Sequence, residues 1–287
     1  MRMAARLYSI GFLGSGKMAT AMARGLISAG LVRPEDITAS ATSDTSLNLQ
    51  RMKGHGVRVT SDNSEVVRRS SVVWIATKPH TVAPVLREIS PVVRRDQLFV
   101  SVAAGTTLNS LAKNLPEGTK VVRCMPNTPV VVRSGVTVYS RNGTVNGEDK
   151  ELVEHMLGSV GLGMEMPEHY MDIITGLTGC GPSYMYVMLD ALADGGVYAG
   201  IPKEIGLRLI AHTMIGAAKM VLENGKHPQE LKDDVCSPAG TSIQAIRTLE
   251  KAGFRGIVMD AVHAASKRAL ELSRLDNGET KDVYVKR

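Results

Sequence analysis

The chain has 287 residues, of which 44% are hydrophobic and 22% charged, a balance typical of a globular protein with one large domain or two ordinary ones. Its formal net charge is +6, but the lysines and arginines are scattered and form no basic run, which argues against a nucleic-acid partner. We see no apolar run long enough to span a membrane and no Cys/His cluster, so neither a membrane nor a metal is expected.

The cysteines and the N-terminus bear on the compartment. Cys124, Cys180 and Cys236 are widely spaced and odd in number, which argues against a disulfide framework and favours a reducing compartment. Arg2 and Arg6 hint at a targeting signal, but residues 1–7 are too short to form a full one. We therefore expect a cytoplasmic protein, with a mitochondrial location left open.

The first half of the chain alternates strand-like runs with helical spacing. Several runs are continuously apolar, such as V-V-W-I-A at 72–76, which is typical of a parallel strand buried on both faces. Between the runs, apolar residues repeat at helical intervals, as Met18, Met22 and Leu26 do after the first run. This alternation predicts βαβ units in a doubly wound parallel sheet. The predicted strands are 7–13, 37–40, 57–60, 72–77, 98–102, 121–125 and 136–140.

After residue 167 the strand signals stop, and helical patterns fill the chain to residue 275. The predicted helices are 183–199, 203–223, 241–252 and 254–273, separated by Gly or Pro. Many alanines and glycines would allow close helix contacts and predict a dimer core. We therefore expect an α/β fold with three parts. These are a dinucleotide-binding domain over 1–166, an all-helical dimerisation and substrate domain over 167–275, and a polar tail over 276–287.

A glycine-rich segment follows the first predicted strand. Residues 14–19, G-S-G-K-M-A, match the pattern G-x-G-x-x-G/A between a strand and a helix. Gly14 would permit a tight turn, and Gly16 would let the backbone approach a pyrophosphate at the helix N-terminus. The alternative is a glycine turn that merely joins strand to helix. With the βα alternation around it, the segment predicts a Rossmann-type dinucleotide site.

The tip of the second predicted strand bears on the choice of nucleotide. An NAD site usually carries Asp or Glu there, to bind the ribose 2′-hydroxyl. Here the tip reads A-S-A-T-S-D at 39–44, with Ser40 at the strand end and Asp44 several residues later. The tip therefore lacks a carboxylate that would repel a 2′-phosphate, and it also lacks an arginine that would bind one. We expect NADPH to be favoured and NADH tolerated.

Two groups of loops could complete a site. The ends of three predicted strands carry A-T-K-P-H at 76–80, S-V-A-A-G at 101–105 and M-P-N-T-P at 125–129, at the edge where doubly wound sheets bind ligands. In the second half, C-S-P-A-G-T-S at 236–242 offers hydroxyls and a helix N-terminus that suit a carboxylate. The alternative for this loop is ordinary N-capping by Thr241 or Ser242. A glycine-rich stretch at 175–182 could line the same cleft or be a flexible turn.

Taken in order, these motifs resemble those of pyrroline-5-carboxylate reductase, the last enzyme of proline synthesis. The likeness extends from residue 8 to residue 273. It rests on A-T-K-P-H at 76–80, R-C-M-P-N-T-P at 123–129, T-G-L-T-G-C-G-P at 175–182, D-A-L-A-D-G-G-V at 190–197 and the loop at 237–242. The resemblance implies an oxidoreductase that reduces 1-pyrroline-5-carboxylate, a cyclic imino acid, to L-proline by hydride transfer from NAD(P)H. It also implies a homodimer that assembles into a homodecamer.

The resemblance further assigns residues to the two ligands. It places the substrate carboxylate on Ser237 and on the backbone N–H groups of Gly240, Thr241 and Ser242. It places the cofactor along Gly14, Ser15, Gly16, Lys17, Met18, Ser40, Asn63, Ala76, Lys78, Pro79, Ala103 and Ala104.

The chain departs from the family's usual pattern in its substrate loop. That loop usually reads S-P-G-G-x-T, and its threonine hydroxyl faces the substrate nitrogen. Here Ala239 stands for the first glycine and Ser242 for the threonine, so Ser242 is the predicted catalytic proton donor, with a less restricted rotamer. Cys180 stands where a serine is usual, so no hydroxyl role transfers to that position.

Three other functions are also compatible with the sequence. A β-hydroxyacid dehydrogenase of the same plan would need a basic residue in the helical half, for which Lys219 and Lys232 are candidates. A nucleotide-sensing protein without catalysis would keep the glycine loop, but the loop at 237–242 argues against it. A basic nucleic-acid adaptor should bind DNA in a salt-sensitive way, which we do not expect.

Overall fold

A computed structural model describes residues 8–41 and 47–276 of the chain. Eight strands form one sheet in the order β3-β2-β1-β4-β5-β6-β7-β8. The strands are β1 Ile10–Leu13, β2 Ile37–Ser40, β3 Arg58–Thr60, β4 Val72–Ile75, β5 Leu98–Ser101, β6 Lys120–Pro126, β7 Gly135–Arg141 and β8 Gly161–Glu165. Strands β1 to β6 run parallel, and the strand order reverses between β1 and β4. This is the doubly wound arrangement that the alternating pattern predicts.

The far edge of the sheet differs from the prediction. Strand β7 pairs antiparallel with β6, because only residues 127–134 connect them and a parallel crossover needs a longer connection. Strand β8 pairs parallel with β7 and was not predicted. Its sequence G-L-G-M-E contains two glycines, which weaken the strand pattern. It forms because β7 offers a free edge and helix α6, Gly147–Ser159, makes the crossover.

Twelve helices accompany the strands in the described residues. The helices besides α6 are α1 Lys17–Ser28, α2 Leu47–Gly54, α3 Asn63–Arg69, α4 Pro79–Ile89, α5 Leu108–Lys113, α7 Met171–Ile174, α8 Gly181–Tyr198, α9 Lys203–Asn224, α10 Pro228–Val235, α11 Thr241–Lys251 and α12 Phe254–Asp276. Short 3-10 turns occur at Pro34–Asp36, Ser90–Val92, Thr128–Val132 and Glu168–Tyr170. Helix α10 was not predicted, since its polar sequence P-Q-E-L-K-D-D-V has little apolar repeat.

Hydrophobic cores lie on both faces of the sheet. In β4, Val72 and Trp74 belong to the core on one face, while Val73 and Ile75 belong to the core on the other. This alternation is the strand period of two, and it explains why the run is continuously apolar. Helix α1 packs on the first face, where Met22 is fully buried. Helices α3, α4 and α5 cover the second face.

The chain forms two compact units, and the first contains more than the sheet. It extends to Cys180 and resumes at Ala264, whereas the second is Gly181–His263. This division differs from the predicted boundary at 166/167. Ser273 Oγ in α12 donates to Asp172 Oδ1 at 2.6 Å, and Ser266 Oγ donates to the carbonyl of Ile173 at 3.3 Å. These long-range bonds hold the C-terminal half of α12 in the first unit. Most of the predicted tail, 277–287, lies outside the described residues.

The second unit buries little of its apolar surface within one chain. Ala193 in α8 and Gly206 in α9 are the residues that helices α8 to α11 bury, and they pack against each other. Large apolar side chains are exposed, with Tyr198 97% and Leu222 83% accessible. By length and composition, α9 could even cross a membrane. The prediction that no apolar run reaches that length was therefore wrong for this helix.

Candidate functional site

A cavity of about 450 Å³ opens at the carboxyl ends of the strands. It lies beside β1 and β4, where the strand order reverses and doubly wound sheets bind their ligands. Its walls come from the glycine loop, the tips of β2, β3 and β4, and the start of α4. The lining residues are Gly14, Ser15, Gly16, Ser40, Ala41, Ser61, Asn63, Ala76, Thr77, Lys78, His80, Thr81 and Val85.

Glycine occupies positions 14 and 16 of the loop for different structural reasons. Gly14 has φ +99°, and a Cβ there would lie 2.8 Å from the carbonyl oxygen of Ala76, so only glycine fits. Gly16 is the N-cap of α1 with an ordinary φ of −64°, and a Cβ there would meet nothing closer than 3.8 Å. Within this protein, Gly16 therefore has no steric need to be glycine. An approaching ligand would supply that need, which favours the dinucleotide site over a simple turn.

The start of α1 is open to an anion. No side chain caps this helix, and its first turn carries no acidic residue. The first backbone N–H groups of a helix have no intrahelical partner and lie at the positive end of its dipole. Since Gly14, Ser15 and Gly16 line the cavity, these groups suit the phosphates of a dinucleotide.

The tip of β2 is tied to the loop by a hydrogen-bond relay. The Gly14 backbone N–H donates to Ser40 Oγ at 3.3 Å, and Ser40 Oγ donates to Asn63 Oδ1 at 2.6 Å. Asn63 Nδ2 in turn donates to Glu88 Oε2 at 3.0 Å. The relay fixes two predicted cofactor residues next to the glycine turn. Asp44, the first carboxylate after this tip in sequence, lies outside the described residues.

The predicted cofactor residues divide into two sets. Seven line the cavity, namely Gly14, Ser15, Gly16, Ser40, Asn63, Ala76 and Lys78. Five do not line it: Lys17 and Met18 begin α1, Pro79 begins α4, and Ala103 and Ala104 follow β5. The assignment of all twelve stays a prediction. The prediction missed Ala41, Ser61, Thr77, His80, Thr81 and Val85, which line the same cavity. Most directly follow strand ends or lie in the first turns of α4, which is the signal that could have found them.

The third predicted strand end supports a neighbouring helical turn. Asn127 Nδ2 donates to the carbonyl of Thr178 at 3.1 Å, and Asn127 Oδ1 accepts from the Val136 N–H at 2.9 Å. The stretch Thr175–Gly179 is a π-helical turn, not a flexible loop. The hydroxyls of Thr175 and Thr178 donate to carbonyls one turn earlier in the chain. Both hydroxyls therefore serve local structure.

A buried arginine organises the same region. Arg123 in β6 is 3% exposed and pairs with Glu168 at 3.1 Å and with Asp172 at 2.9 Å. Glu168 also accepts from the Leu108 N–H at 2.7 Å, at the start of α5. A buried guanidinium needs such partners because an unpaired buried charge is very costly. The cluster links β6, α5 and α7 within the first unit.

The loop at 236–242 lies in the second unit and begins α11. Gly240 is the N-cap of the helix, and no side chain caps it, so N-capping by Thr241 or Ser242 is wrong as an explanation of this loop. The Gly240 N–H donates to the Ser237 carbonyl at 3.1 Å, and a side chain at 240 would collide with Ser237 Oγ. The first N–H groups of α11, including those of Thr241 and Ser242, therefore remain available to a carboxylate.

Ala239 introduces strain into this loop. Its φ is +58°, and the other described non-glycine residue with positive φ is Arg133. A β-carbon makes this left-handed conformation unfavourable by about 1–2 kcal/mol. The glycine usual at this position in the resembling family would adopt it without that cost.

The cysteines take no part in the cavity. No disulfide joins Cys124, Cys180 and Cys236. Cys124 is fully buried in the core of the sheet, and burial strongly raises the pKa of its thiol, so it packs as a neutral side chain. Within 8–41 and 47–276, no three His, Cys, Asp or Glu side chains come together as metal ligands would.

Comparison with known protein families places both halves of the chain. The family described as NADP oxidoreductase, coenzyme F420-dependent, matches residues 9–105, and the family described as pyrroline-5-carboxylate reductase dimerisation matches residues 168–272. A doubly wound sheet with an open glycine loop, followed by a dimerisation region, defines a nicotinamide-dependent oxidoreductase that acts as an oligomer.

Individual relatives identify the family. Pyrroline-5-carboxylate reductase from Glycine max is 44% identical over 272 residues, which is 94% of this chain and 97% of the relative. Pyrroline-5-carboxylate reductase 3 from Xenopus laevis is 42% identical over 265 residues, 92% of this chain and 96% of the relative. The chain belongs to the pyrroline-5-carboxylate reductase family, whose members are NAD(P)H-dependent enzymes of the last step of proline biosynthesis.

Solved structures agree with this assignment. The Plasmodium falciparum pyrroline carboxylate reductase with NADP bound has a TM-score of 0.85 at 32% identity, covering 93% of this chain and 98% of that one. The Coxiella burnetii pyrroline-5-carboxylate reductase has a TM-score of 0.82 at 35% identity, covering 93% and 99%. The resemblance, the fold class and the nicotinamide cofactor are thereby confirmed. The match to a dimerisation family also explains the exposed apolar face of α9 without a membrane.

Proposed function

We propose that the protein reduces 1-pyrroline-5-carboxylate to L-proline with NADPH as the favoured cofactor and NADH tolerated. The observation that carries the proposal is the pair of uncapped helix starts, α1 at the cavity of the first unit and α11 at the substrate loop of the second. The first suits phosphates and the second suits a carboxylate. The family of the chain supports the same reaction.

The role of the cofactor site is to bind and orient the dinucleotide. When bound, the reduced nicotinamide supplies a hydride. The N-terminal N–H groups of α1 would hold the pyrophosphate, and Gly16 would leave room for it to approach. Ser40 and Asn63 would lie at the ribose end, and no carboxylate lines the described cavity to repel a 2′-phosphate. Small side chains at Ala103 and Ala104 would leave space beside the nicotinamide.

The substrate loop binds the carboxylate of the substrate and supplies the proton. Ser237 and the backbone N–H groups of Gly240, Thr241 and Ser242 bind the carboxylate of the imino acid. The Ser242 hydroxyl orients or donates the proton at the ring nitrogen, which must be protonated for the carbon to accept a hydride. Positioning two bound molecules supplies a large part of the rate enhancement, so no strong base is needed.

The assembly and compartment belong to the same proposal. The helical region would form an intertwined homodimer, and the dimers would assemble into a homodecamer. The protein would act in the cytoplasm, with a mitochondrial location as the alternative. Sedimentation of the purified protein and fractionation of cells would test these two points.

The central test is the substitution Ser242→Ala. We expect turnover of pyrroline-5-carboxylate to fall roughly 10- to 100-fold, the value of one lost hydrogen bond of about 1–3 kcal/mol. NADPH affinity should not change, because Ser242 does not line the cofactor cavity. Ser242→Thr, which keeps the hydroxyl, is the matched control and should retain activity. Wild-type turnover in Ser242→Ala would remove this hydroxyl from the mechanism.

Steady-state assays test the reaction and the cofactor. The wild-type protein is given pyrroline-5-carboxylate with NADPH or NADH, and a hydroxyacid with NADP⁺. We expect consumption of both reduced cofactors, with the higher kcat/KM for NADPH. Oxidation of the hydroxyacid alone would indicate a dehydrogenase, and binding without consumption would indicate a sensing protein.

A further inference from the structure

Thr77 is a residue of the cofactor cavity to which the predicted site gives no role. It follows β4 and lines the cavity opposite the glycine loop. Its Cγ2 atom faces that loop, since a Cβ built on Gly14 would lie 3.2 Å from it. The side chain therefore presents its methyl group to the turn that prepares the pyrophosphate site.

The hydroxyl of Thr77 lacks a hydrogen-bond partner. Its Oγ1 atom is buried and accepts or donates no bond within the described part of the chain. Thr81, which lines the same cavity, instead donates from Oγ1 to the Lys78 carbonyl at 2.8 Å. A buried polar atom without a partner lowers stability, and native structures normally avoid it. In its present rotamer the hydroxyl at 77 faces the protein interior, so it can gain a partner only by rotating.

A rotation of one bond would supply that partner. Threonine populates more than one staggered χ1 rotamer, and a rotation of χ1 can place Oγ1 where Cγ2 now lies. That position faces the Gly14 turn. We propose that Thr77 binds the cofactor, its hydroxyl rotating towards the glycine loop and donating to a pyrophosphate oxygen. This inference rests on the proposed function, because it takes the cavity to be the nicotinamide cofactor site.

The hydroxyl distinguishes Thr77 from a side chain that only fills space. Valine has almost the same shape and would occupy position 77 without an unsatisfied polar atom. In the cofactor-free protein, threonine is therefore the less stable choice, and replacing an unpaired polar group by an apolar one of the same shape is neutral or stabilising. When the cofactor is bound, its hydrogen bond to the hydroxyl makes threonine more favourable than valine at position 77.

The test is an equilibrium titration of the intact oligomer with NADPH and, separately, with NADH. Trp74, the chain's one tryptophan, lies three residues before Thr77, and quenching of its emission reports binding. We expect Thr77→Val to weaken the affinity for both cofactors by about tenfold, the value of one hydrogen bond to a charged acceptor. Thr77→Ser should bind within roughly twofold of wild type, because it keeps the donor.

A matched control is available at Thr106. Its Oγ1 atom is also buried without a partner, but Thr106 does not line the cavity. Thr106→Val makes the same chemical change, and we expect it to leave both affinities unchanged. For Thr77→Val, the melting temperature without cofactor should equal or exceed that of wild type.

The outcomes separate this inference from the proposed function. If wild type binds neither cofactor, the proposed function fails and this inference fails with it. If wild type binds and Thr77→Val binds equally well, only this inference is overturned. A loss confined to NADPH would place the hydroxyl at the 2′-phosphate and overturn the pyrophosphate assignment. A loss together with a lower melting temperature would also overturn it. Should Thr77→Val not fold, Thr77→Ala is judged by the same affinities.

Discussion

The two units of this chain bury apolar surface in different ways. The first unit completes its cores within one chain, with Phe12 and Trp74 fully buried and their rings stacked at 6.0 Å between centroids. The second unit buries two small residues in four helices and exposes large ones. Burial of apolar area is the main favourable term in folding. The second unit must therefore obtain much of its stability from another copy, as its match to a dimerisation family requires.

The two units also share one structural feature. Each contains a helix whose N-cap is a glycine and whose first turn is left uncapped, α1 with Gly16 and α11 with Gly240. A side-chain cap would stabilise each helix by about 1 kcal/mol but would occupy the N–H groups that a ligand needs. The comparison indicates that both units give up local helix stability at their proposed cofactor and substrate sites.

The largest effect is expected from a charge on the exposed face of the second unit. Ile215 in α9 is 54% exposed in the single chain. Ile215→Asp would place an unpaired carboxylate in the dimer contact, and we expect association to weaken by about 3–5 kcal/mol, with loss of activity. Light scattering measures the oligomeric state. Val132→Asp is the control, because Val132 is 69% exposed but lies outside the matched dimerisation region, and it should remain oligomeric. A fully dimeric Ile215→Asp variant would contradict the inference that the second unit is stabilised by another copy of the chain.

The next effect separates the two glycines of the first unit. Gly14→Ala places a Cβ against the Ala76 carbonyl at an unfavourable φ, and we expect a loss of about 1–3 kcal/mol in unfolding free energy. Gly16→Ala meets no close atom, so it should keep stability and lose NADPH affinity. Thermal unfolding and NADPH titration on the same samples distinguish the two. Equal stability and equal affinity in Gly16→Ala would mean that no ligand approaches there.

A smaller effect is expected in the substrate loop. Ala239→Gly removes the cost of a β-carbon at φ +58°, partly offset by the greater chain entropy of glycine. We expect a gain of about 0.5–1 kcal/mol in the stability of the loop and helix α11. Arg133→Gly relieves the same backbone conformation but loses the hydrogen bond from Arg133 to the Ser159 carbonyl. Its gain in stability should therefore be smaller. Hydrogen exchange of α11 measures the local effect, and faster exchange in Ala239→Gly would contradict it.

The smallest effect concerns the acid stability of the first unit. The hydrogen bond from Lys150 lowers the pKa of the Glu165 carboxyl, and Arg141 adds to it. A lowered pKa contributes stability at neutral pH, and this contribution is lost as the pH falls below the ordinary value of 4.5 towards the folded-state pKa. Glu165→Gln should therefore lower the free energy of unfolding by less than about 1 kcal/mol at neutral pH, and should leave it unchanged in strong acid. Glu151→Gln on exposed α6 is the control. A constant difference across the pH series would exclude the ion pair as the cause.

Local patterns in the sequence predicted much of the fold and one side of the site. Strand 37–40 was predicted with its exact bounds, and the glycine loop with its place between β1 and α1. Both follow from short-range features: a run of strand-forming residues, and glycines at a turn. Strand β8 and the antiparallel pairing of β7 escaped prediction because their partners are set by the sheet edge and the length of the connection.

Some functional features are not local. The relay through Ser40, Asn63 and Glu88 joins residues up to 74 positions apart, counted from Gly14 to Glu88. The orphaned hydroxyl of Thr77 is visible only once its surroundings are known. A sequence pattern names a threonine, but hydrogen-bond satisfaction depends on every neighbour in three dimensions.

By itself, the sequence determined the class of fold, the glycine turn, seven of the eight strands, the long helices of the second half, and the family. These depend on periodicity and on residue types whose backbone preferences are local. Only the tertiary structure decided that α12 returns to the sheet unit and that α9 leaves its apolar surface exposed. Each of these depends on contacts between distant segments, which the folded chain alone brings together.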